Sequence, residues 1–229
     1  MAGLIAIFGP VSGVWAVQLL GIPTVLGCAL LAARIIRHLD QGGGSASGFA
    51  FVATLAYYPL SYWTLMGMET GLLTLLLLGA IAAVQQRRWS LTGLLLGAAF
   101  ATRPDALVPA TVVLASLWWT RAPLKGIVRS GSVFAGVLMA TVMAQKLYYG
   151  SWLPNTYTLK LGGIPLATRL ANGIAFSTPL ALDSIPVSIL AVTGAWAISG
   201  QGWWLLGLCG AGALYQVFTG GDSWPGYWR

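Results

Sequence analysis

Residues 91–119, LTGLLLGAAFATRPDALVPATVVLASLWW, form an apolar stretch that is interrupted by Arg103-Pro104-Asp105. A charge near bilayer depth costs roughly 2.5–3.5 kcal/mol on insertion scales, so charged residues at such a break usually mark a site. Proline disfavours the helical region for the residue before it, so a first helix should end here. The stretch therefore predicts two short helices, over residues 91–102 and 106–119, joined by a charged turn.

The composition of the whole chain points to a membrane. Hydrophobic residues make up 57% of it and charged residues 7%, and the mean hydropathy is +0.79, whereas a soluble domain has about 25% charged residues. The 229 residues leave room for about seven spans of roughly 20 residues. We therefore expect an all-α, polytopic membrane helical bundle of about seven or eight transmembrane or half-membrane helices, forming one transmembrane domain over residues 1–229.

Apolar runs between charges define the predicted spans, and several are shorter than about 17 residues, which predicts kinks or half-helices. Residues 150–184 contain no continuous apolar run and are predicted to form a re-entrant or amphipathic segment. The predicted spans are residues 14–33, 49–66, 70–84, 91–102, 106–119, 133–148, 185–199 and 203–218.

The basic residues lie in the turns between these runs. The formal charge is +7, but the cations do not cluster on one polar face, so no nucleic-acid partner is expected. Alternating the spans places the turns at residues 34–38, 87–88 and 121–129 on one side, as the excess of Lys and Arg in cytoplasmic loops requires. Glu69, Arg103, Asp105, residues 150–183 and the C-terminal residues 220–229 then face the external side.

Glu69 and the Arg103-Pro104-Asp105 turn each allow a structural and a functional interpretation. Glu69 comes just before an apolar run, where a carboxylate can cap a helix and interact with its dipole. Arg103 can pair with Asp105. In the functional interpretation, the guanidinium and a helix N-terminus together hold an anion, most plausibly phosphate.

Two further polar segments belong to the same predicted face. Residues 148–160, YYGSWLPNTYTLK, contain helix breakers together with Asn155, Tyr157 and Lys160. Lys160 suits a phosphate, although an interfacial helix with a snorkelling lysine has the same pattern. Residues 220–229, GGDSWPGYWR, place Asp222 among aromatic rings, as in a sugar site, or form a solvated tail.

The sequence predicts neither a metal nor a cofactor. Cys28 and Cys209 lie inside apolar runs and are expected to behave as small buried hydrophobes. His38 borders a basic turn, and no residue at metal-ligand spacing accompanies it. Phosphate-cradling glycine loops and Ser/His/Asp groupings are also missing from the sequence.

Four motifs together resemble bacterial polytopic glycosyltransferases of the GT-C superfamily, in particular the arabinofuranosyltransferase-like and protein-mannosyltransferase-like enzymes. The likeness covers the chain from about residue 50 to the end. The motifs are GMET at residues 67–70, TRPD at 102–105, YG with LPNTY and Lys160 at 149–160, and GGD with PGY and Arg229 at 220–229.

The resemblance implies transfer of a sugar from a polyprenyl-phosphate carrier to a glycan, lipid or protein acceptor at the external face of the bacterial plasma membrane. The donor would be a substrate, and no cofactor is implied. Glu69 and Asp222 are implied to line the sugar or acceptor site and are the candidate catalytic carboxylates of this chain. The residues implied to bind carrier, sugar or acceptor are Arg103, Asp105, Asn155, Tyr157, Lys160 and Arg229.

Two departures from the family leave the activity of this chain open. The family has an acidic residue in an external loop after its first helix, whereas the first acid here is Asp40, on the predicted cytoplasmic side. The family also continues beyond its GGD motif, so we expect a fragment of a larger membrane enzyme. A non-catalytic GT-C-like protein and a transporter or flippase of lipid-linked sugars are the alternatives.

Overall fold

The computed structural model describes residues 9–40, 44–152, 164–183, 185, 188, 189, 192, 193 and 203–221. All secondary structure in these ranges is helical, which confirms the all-α prediction. The elements are α1 (Pro10–Leu39), α2 (Gly44–Ala56), α3 (Tyr58–Leu65), α4 (Thr70–Gln85), α5 (Trp89–Thr102), a 3-10 turn (Pro104–Ala106), α6 (Leu107–Trp119), α7 (Leu124–Tyr149), α8 (Leu166–Asp183) and α9 (Trp203–Thr219).

Two of the described helical segments, Ser12–Leu39 within α1 and Leu124–Tyr149, are long and apolar enough to cross a bilayer. The apolar helices α2, α4, α5 and α6 contain 13, 16, 14 and 13 residues, fewer than the roughly 20 that a span requires. The short helices predicted over residues 70–84, 91–102 and 106–119 are therefore confirmed. Membrane association rests on the two long segments and on the apolar composition.

The predicted span over residues 49–66 is wrong, because the structure divides it between α2 and α3. Pro59 lies in the first turn of α3, and Tyr57 before that helix has an extended backbone with ψ of 94°. Proline has no amide hydrogen to donate to the carbonyl four residues earlier. The hydroxyl of Ser61 donates to that carbonyl, on Leu55, at 3.1 Å, so this acceptor is not orphaned.

One other boundary also differs from that predicted. The run expected over residues 133–148 belongs to α7, which begins at Leu124 and includes Lys125 and Arg129. Both side chains are exposed in its first two turns, so they end the apolar run without ending the helix. Within residues 150–184, which were predicted to form a re-entrant or amphipathic segment, the structure places α8.

The described helices pack as two compact units. The first, Met1–Ala106 with Pro123–Val137, contains α1 to α5 and the first half of α7. α1 and α4 run parallel, since Gly27 faces Leu75 near their middle and Gln85 Nε2 donates to the carbonyl of Ile35 at 3.3 Å near their C-terminal ends. Small residues allow this close approach of helices.

α5 packs between α4 and α7 in the same unit. Gly79 of α4 faces Leu95 of α5, and Gly97 of α5 faces Val137 of α7. At the start of α5, the hydroxyl of Ser130 on α7 donates to the carbonyl of Trp89 at 3.0 Å. The turn from α4 to α5 therefore lies at the same end as the N-terminus of α7.

The second unit, Leu107–Ala122 with Leu138–Arg229, contains α6, the rest of α7, α8 and α9. α6 buries one stripe at helical spacing, formed by Ala110, Val113 and Leu117. α8 and α9 approach so closely that a Cβ on Gly173 would overlap the backbone of Val217. The prediction of a single domain over residues 1–229 stays a prediction.

Candidate functional site

The hairpin of α4 and α5 brings two of the predicted site residues together. Glu69 directly precedes the first residue of α4, and Arg103 directly follows the last residue of α5. Because the two helices are antiparallel neighbours joined by a short turn at residues 86–88, the start of one lies beside the end of the other. Two residues separated by 34 positions therefore meet at one end of the first unit.

Arg103 forms ion pairs with two carboxylates at this end. Its Nε and Nη2 atoms donate to the two oxygens of Asp105 at 3.0 and 2.8 Å. Its Nη1 donates to Oε1 of Glu69 at 3.3 Å. The two-pronged contact with Asp105 uses the planar fork of the guanidinium, which fixes the orientation of both groups.

Local backbone geometry explains why Arg103 points back toward Asp105. Arg103 precedes Pro104 and is extended, with φ of −147° and ψ of 125°, as steric contact with the proline ring requires. The 3-10 turn then places Asp105 two residues further on. The prediction that the proline ends the first short helix is confirmed.

The structure also bears on the alternatives left open for these residues. Glu69 occupies the position before α4, but its side chain makes no capping hydrogen bond, and its carboxylate bonds to Arg103 instead. The pairing of Arg103 with Asp105 is present. One guanidinium and two carboxylates give the cluster a net charge of −1, which favours hydroxyl donors over a free anion as ligands.

The ion-paired cluster of Glu69, Arg103 and Asp105 remains accessible to solvent-sized molecules. The side chains of Arg103, Glu69 and Asp105 are 33%, 44% and 28% exposed. Partial exposure makes such pairs weak contributors to stability, typically about 0–1 kcal/mol. The cluster is therefore better placed to contact a ligand than to hold the fold together.

An open cavity of about 600 Å³ adjoins Glu69 in the first unit. Its walls come from α1, from the end of α3 and from the start of α4, and they are mostly apolar. Cavities of about 300–1,000 Å³ with a few polar groups are typical of small-molecule sites. Its lining residues include Leu20, Thr24, Glu69, Leu72 and Leu75.

Five of the predicted site residues cannot be placed. Asn155, Tyr157 and Lys160 lie between residues 152 and 164, and Asp222 and Arg229 lie after residue 221, so all five are outside the described residues. Their assigned roles stay predictions. Gly150 and Gly220, which belong to these two motifs, are described, and both have the positive φ angles, 71° and 88°, that glycine adopts readily.

Two cations that were not among the predicted site residues lie next to these glycines in the second unit. Lys146 Nζ donates to the carbonyl of Gly150 at 2.6 Å and lies 5.4 Å from the ring centroid of Trp152. Arg169 contacts Gly220 and lies 5.1 Å from the ring centroid of Phe218. In the sequence, only the nearby YG motif pointed to Lys146. No feature of the sequence pointed to Arg169.

No group of three or more His, Cys, Asp or Glu residues suited to a metal ion occurs within the described ranges. Both cysteines are free thiols, Cys28 buried and Cys209 exposed. Of the two, Cys28 therefore agrees with the expectation of a small buried hydrophobe, whereas Cys209 does not.

Comparison with models of protein families, with curated proteins and with solved structures found no match. The resemblance to GT-C glycosyltransferases therefore rests on the four sequence motifs alone.

Proposed function

We propose that this chain is a membrane glycosyltransferase, or an incomplete one, that transfers a sugar from a polyprenyl-phosphate-linked donor to an acceptor on the external face of a bacterial plasma membrane. The proposal includes a bundle of about seven or eight transmembrane or half-membrane helices. The observation that carries it is the ion-paired carboxylate Glu69 at the wall of an apolar cavity.

The cavity suits an amphiphilic substrate. Leu20, Leu72 and Leu75 offer an apolar wall to an isoprenoid chain, and Glu69 offers a charged acceptor of hydrogen bonds to the sugar at its end. A donor with a lipid tail and a polar head needs both surfaces side by side. A soluble sugar nucleotide would have no use for the apolar wall.

In the proposed reaction, Glu69 accepts the proton of the acceptor hydroxyl as its oxygen bonds to the anomeric carbon of the sugar. The bond from that carbon to the phosphate oxygen breaks, and its electron pair leaves with the polyprenyl phosphate. A positioned general base contributes typically 10²–10⁴-fold to such a step. Arg103 is a positioning residue here, because it orients both carboxylates.

The buried polar groups favour an enzyme over a transporter or flippase. The described polar residues that are buried as whole side chains are Ser and Thr, and Thr64, Thr92 and Ser130 donate to backbone carbonyls. A path for a lipid-linked sugar needs ionisable or amide side chains deep inside the spans. The described charged residues lie instead at helix ends.

Transfer of radiolabelled sugar from a polyprenyl-phosphate donor, by the chain purified in lipid nanodiscs, tests the proposal. Glu69→Gln keeps the size of the side chain but removes the base, so we expect transfer to fall by about 10²–10⁴-fold. Asp40→Asn, an acid at the end of α1 remote from the cavity, is the matched control and should keep at least half of the activity.

Each outcome of the transfer assay points to a different function of the chain. Full activity of Glu69→Gln would remove Glu69 as the base and leave Asp222 as the predicted carboxylate to replace next. Donor binding by the wild-type chain without any transfer would identify a non-catalytic relative. Movement of the donor across the bilayer of sealed liposomes that contain the chain, without transfer, would identify a flippase, and absence of donor binding would overturn the proposal.

A further inference from the structure

Six exposed cations lie at one end of the first unit, although three separate segments of the chain supply them. Gln85 Nε2 donates to the carbonyl of Ile35, which holds the C-terminal ends of α1 and α4 together. The turn from α4 to α5 lies against the start of α7, because Nε of Arg129 donates to the hydroxyl of Ser90. We call this group the basic surface, and its members are Arg34, Arg37, Arg87, Arg88, Lys125 and Arg129.

The basic surface carries a large unbalanced charge. Both ion pairs found in the described ranges belong to Arg103, at the opposite end of the unit, so no described carboxylate is paired with any of these six cations. Asp40 is the single acid at this end among the residues that the structure describes. With His38 neutral, six cations and one carboxylate leave a net charge of +5. A surface with this charge attracts anions strongly.

Local helix stability does not explain several of these cations. Lys125 is the second residue of α7 and Arg88 directly precedes α5, and the partial positive charge at a helix start disfavours both. Arg87 has a φ of 55°, in the left-handed region that costs free energy for any residue with a Cβ. Glycine is the usual residue at such a helix end. The chain therefore keeps three cations at positions where they lower local stability.

The position of the basic surface beside the apolar helices indicates which anions can reach it. Ser12–Leu39 and Leu124–Tyr149 are the two described segments that are long and apolar enough to cross a bilayer. The first ends at this surface and the second begins there, so a bilayer that they crossed would bring its phospholipid headgroups to the level of the cations. Clusters of about four to eight Lys and Arg residues next to membrane helices attract anionic lipids.

We propose that the basic surface binds the phosphate groups of anionic phospholipids in the membrane leaflet next to it. Retention of Lys and Arg on one side of a membrane accounts for the number of these cations, but it requires neither their convergence nor a strained arginine. A nucleic acid is disfavoured because the surface adjoins apolar helices that lipid would surround. The inference goes beyond the proposed sugar transfer, since these lipids are bound as components of the membrane and not as donor or acceptor.

Native mass spectrometry of the full chain, titrated with lipid in a neutral detergent, tests the surface by counting bound lipids. The probes are diphosphatidylglycerol, which carries two phosphates, and zwitterionic phosphatidylcholine. The wild type should bind diphosphatidylglycerol about tenfold more tightly than phosphatidylcholine, or better. Arg88→Gln should weaken that binding about fivefold, which is the effect of one cation near an anionic lipid. The triple variant Arg37→Gln, Arg88→Gln, Lys125→Gln removes one charge from each segment and should weaken it about thirtyfold or more.

Arg103→Gln is the matched control, because Arg88 and Arg103 flank α5 at its two ends. The helix separates them by about 20 Å, beyond the screening length of physiological salt, so the control should change the affinity less than about twofold. The double variant Arg37→Lys, Arg88→Lys keeps both charges and should bind within about threefold of the wild type. The side chains substituted on the basic surface are exposed, and Arg88→Gln alone keeps the proposal testable if the triple variant does not fold.

Equal affinities of the wild type, Arg88→Gln and the triple variant for diphosphatidylglycerol would overturn the proposal. An equal loss in Arg88→Gln and Arg103→Gln would do the same, because overall charge would then govern binding. Displacement of the lipid by millimolar inorganic phosphate, but not by chloride at the same ionic strength, would identify a site for soluble anions. Tighter binding of duplex DNA than of the lipid would identify a nucleic-acid surface, and either result would overturn the lipid assignment. Sugar transfer does not enter the assay, so its failure would leave this result unaffected.

Discussion

The two ends of the first unit use the same helices in opposite ways. At the end that carries Arg87 and Arg88, α4 buries five consecutive residues, from Ala80 to Val84, and Gln85 bonds to α1. At the other end the same helix borders an open cavity and the ion-paired cluster. We call the end that carries Arg87 and Arg88 the basic end, and the end with the cavity and the ion-paired cluster the cluster end.

This contrast separates residues that hold the fold from residues that are free to act on a ligand. α4 is apolar along its whole length, so composition does not distinguish its two halves. The difference comes from what surrounds each half, since the cavity lies where α1, the end of α3 and the start of α4 meet. Each prediction below tests whether that division is real.

The largest expected effect concerns which side of the membrane each end faces. In a Cys28→Ala, Cys209→Ala background, Met68→Cys at the cluster end should react with an impermeant thiol reagent added to intact cells. Arg88→Cys at the basic end should react only after permeabilisation, because Lys and Arg are retained on the cytoplasmic side. Mass-shift labelling on gels measures both.

Opposite labelling of the two cysteines would reverse the orientation and place the cluster in the cytoplasm. Labelling of both in intact cells would mean that these helices do not separate two compartments. Met68 is a suitable reporter because its side chain is already exposed.

The next effect concerns stability along α4. Ile81 is 3% exposed at the basic end, whereas Leu72 is 46% exposed at the cavity. Ile81→Ala should cost about 2–5 kcal/mol through lost contacts and a residual cavity, and Leu72→Ala about 0.5 kcal/mol. Thermal unfolding of both variants in the same detergent measures the difference.

A loss at Leu72→Ala equal to that at Ile81→Ala would show that the cavity wall is part of the core. The cavity would then be too tightly packed to admit an isoprenoid chain.

The smallest effect is the coupling between Glu69 and Arg103. A double-mutant cycle with Glu69→Gln and Arg103→Gln, measured on the free energy of unfolding, should give an interaction free energy of about 0.2–1 kcal/mol. The value is small because both side chains are partly exposed. The same cycle with Asp105→Asn should give a larger value, since that contact is shorter and two-pronged.

A cycle between Arg103→Gln and Asp40→Asn serves as the control and should show no coupling, since these residues lie at opposite ends of the unit. Equal coupling in all three cycles would mean that long-range charge, rather than direct contact, organises the cluster.

Arg103 of the first unit and Arg169 of the second differ in how far their surroundings could be predicted from the sequence. Arg103 has an acid two positions away in sequence, so its pairing with Asp105 was foreseeable. Its contact with Glu69 joins residues 34 positions apart and needed the hairpin. Arg169 has no acid within 13 positions on either side, and only the packing of α9 against α8 shows that its Nε and Nη1 donors are buried.

Most helix boundaries followed from local chemistry. Pro104 fixed the end of α5, and the basic turn at Arg87 and Arg88 fixed the end of α4 within a residue or two. The boundary predictions were wrong where each continuous apolar run was equated with one helix. Pro59 broke a run that looked continuous, and Lys125 and Arg129 ended an apolar run without ending α7.

By itself, the sequence determined the helical class, the apolar character and the grouping of charges at helix ends, because these depend on composition and on residues adjacent in the chain. The tertiary structure decided which charges meet, where the cavity opens and which cations converge at one end of the first unit. These depend on how closely two helices approach, and glycines such as Gly27, Gly97 and Gly173 set that distance only once their packing partners are known.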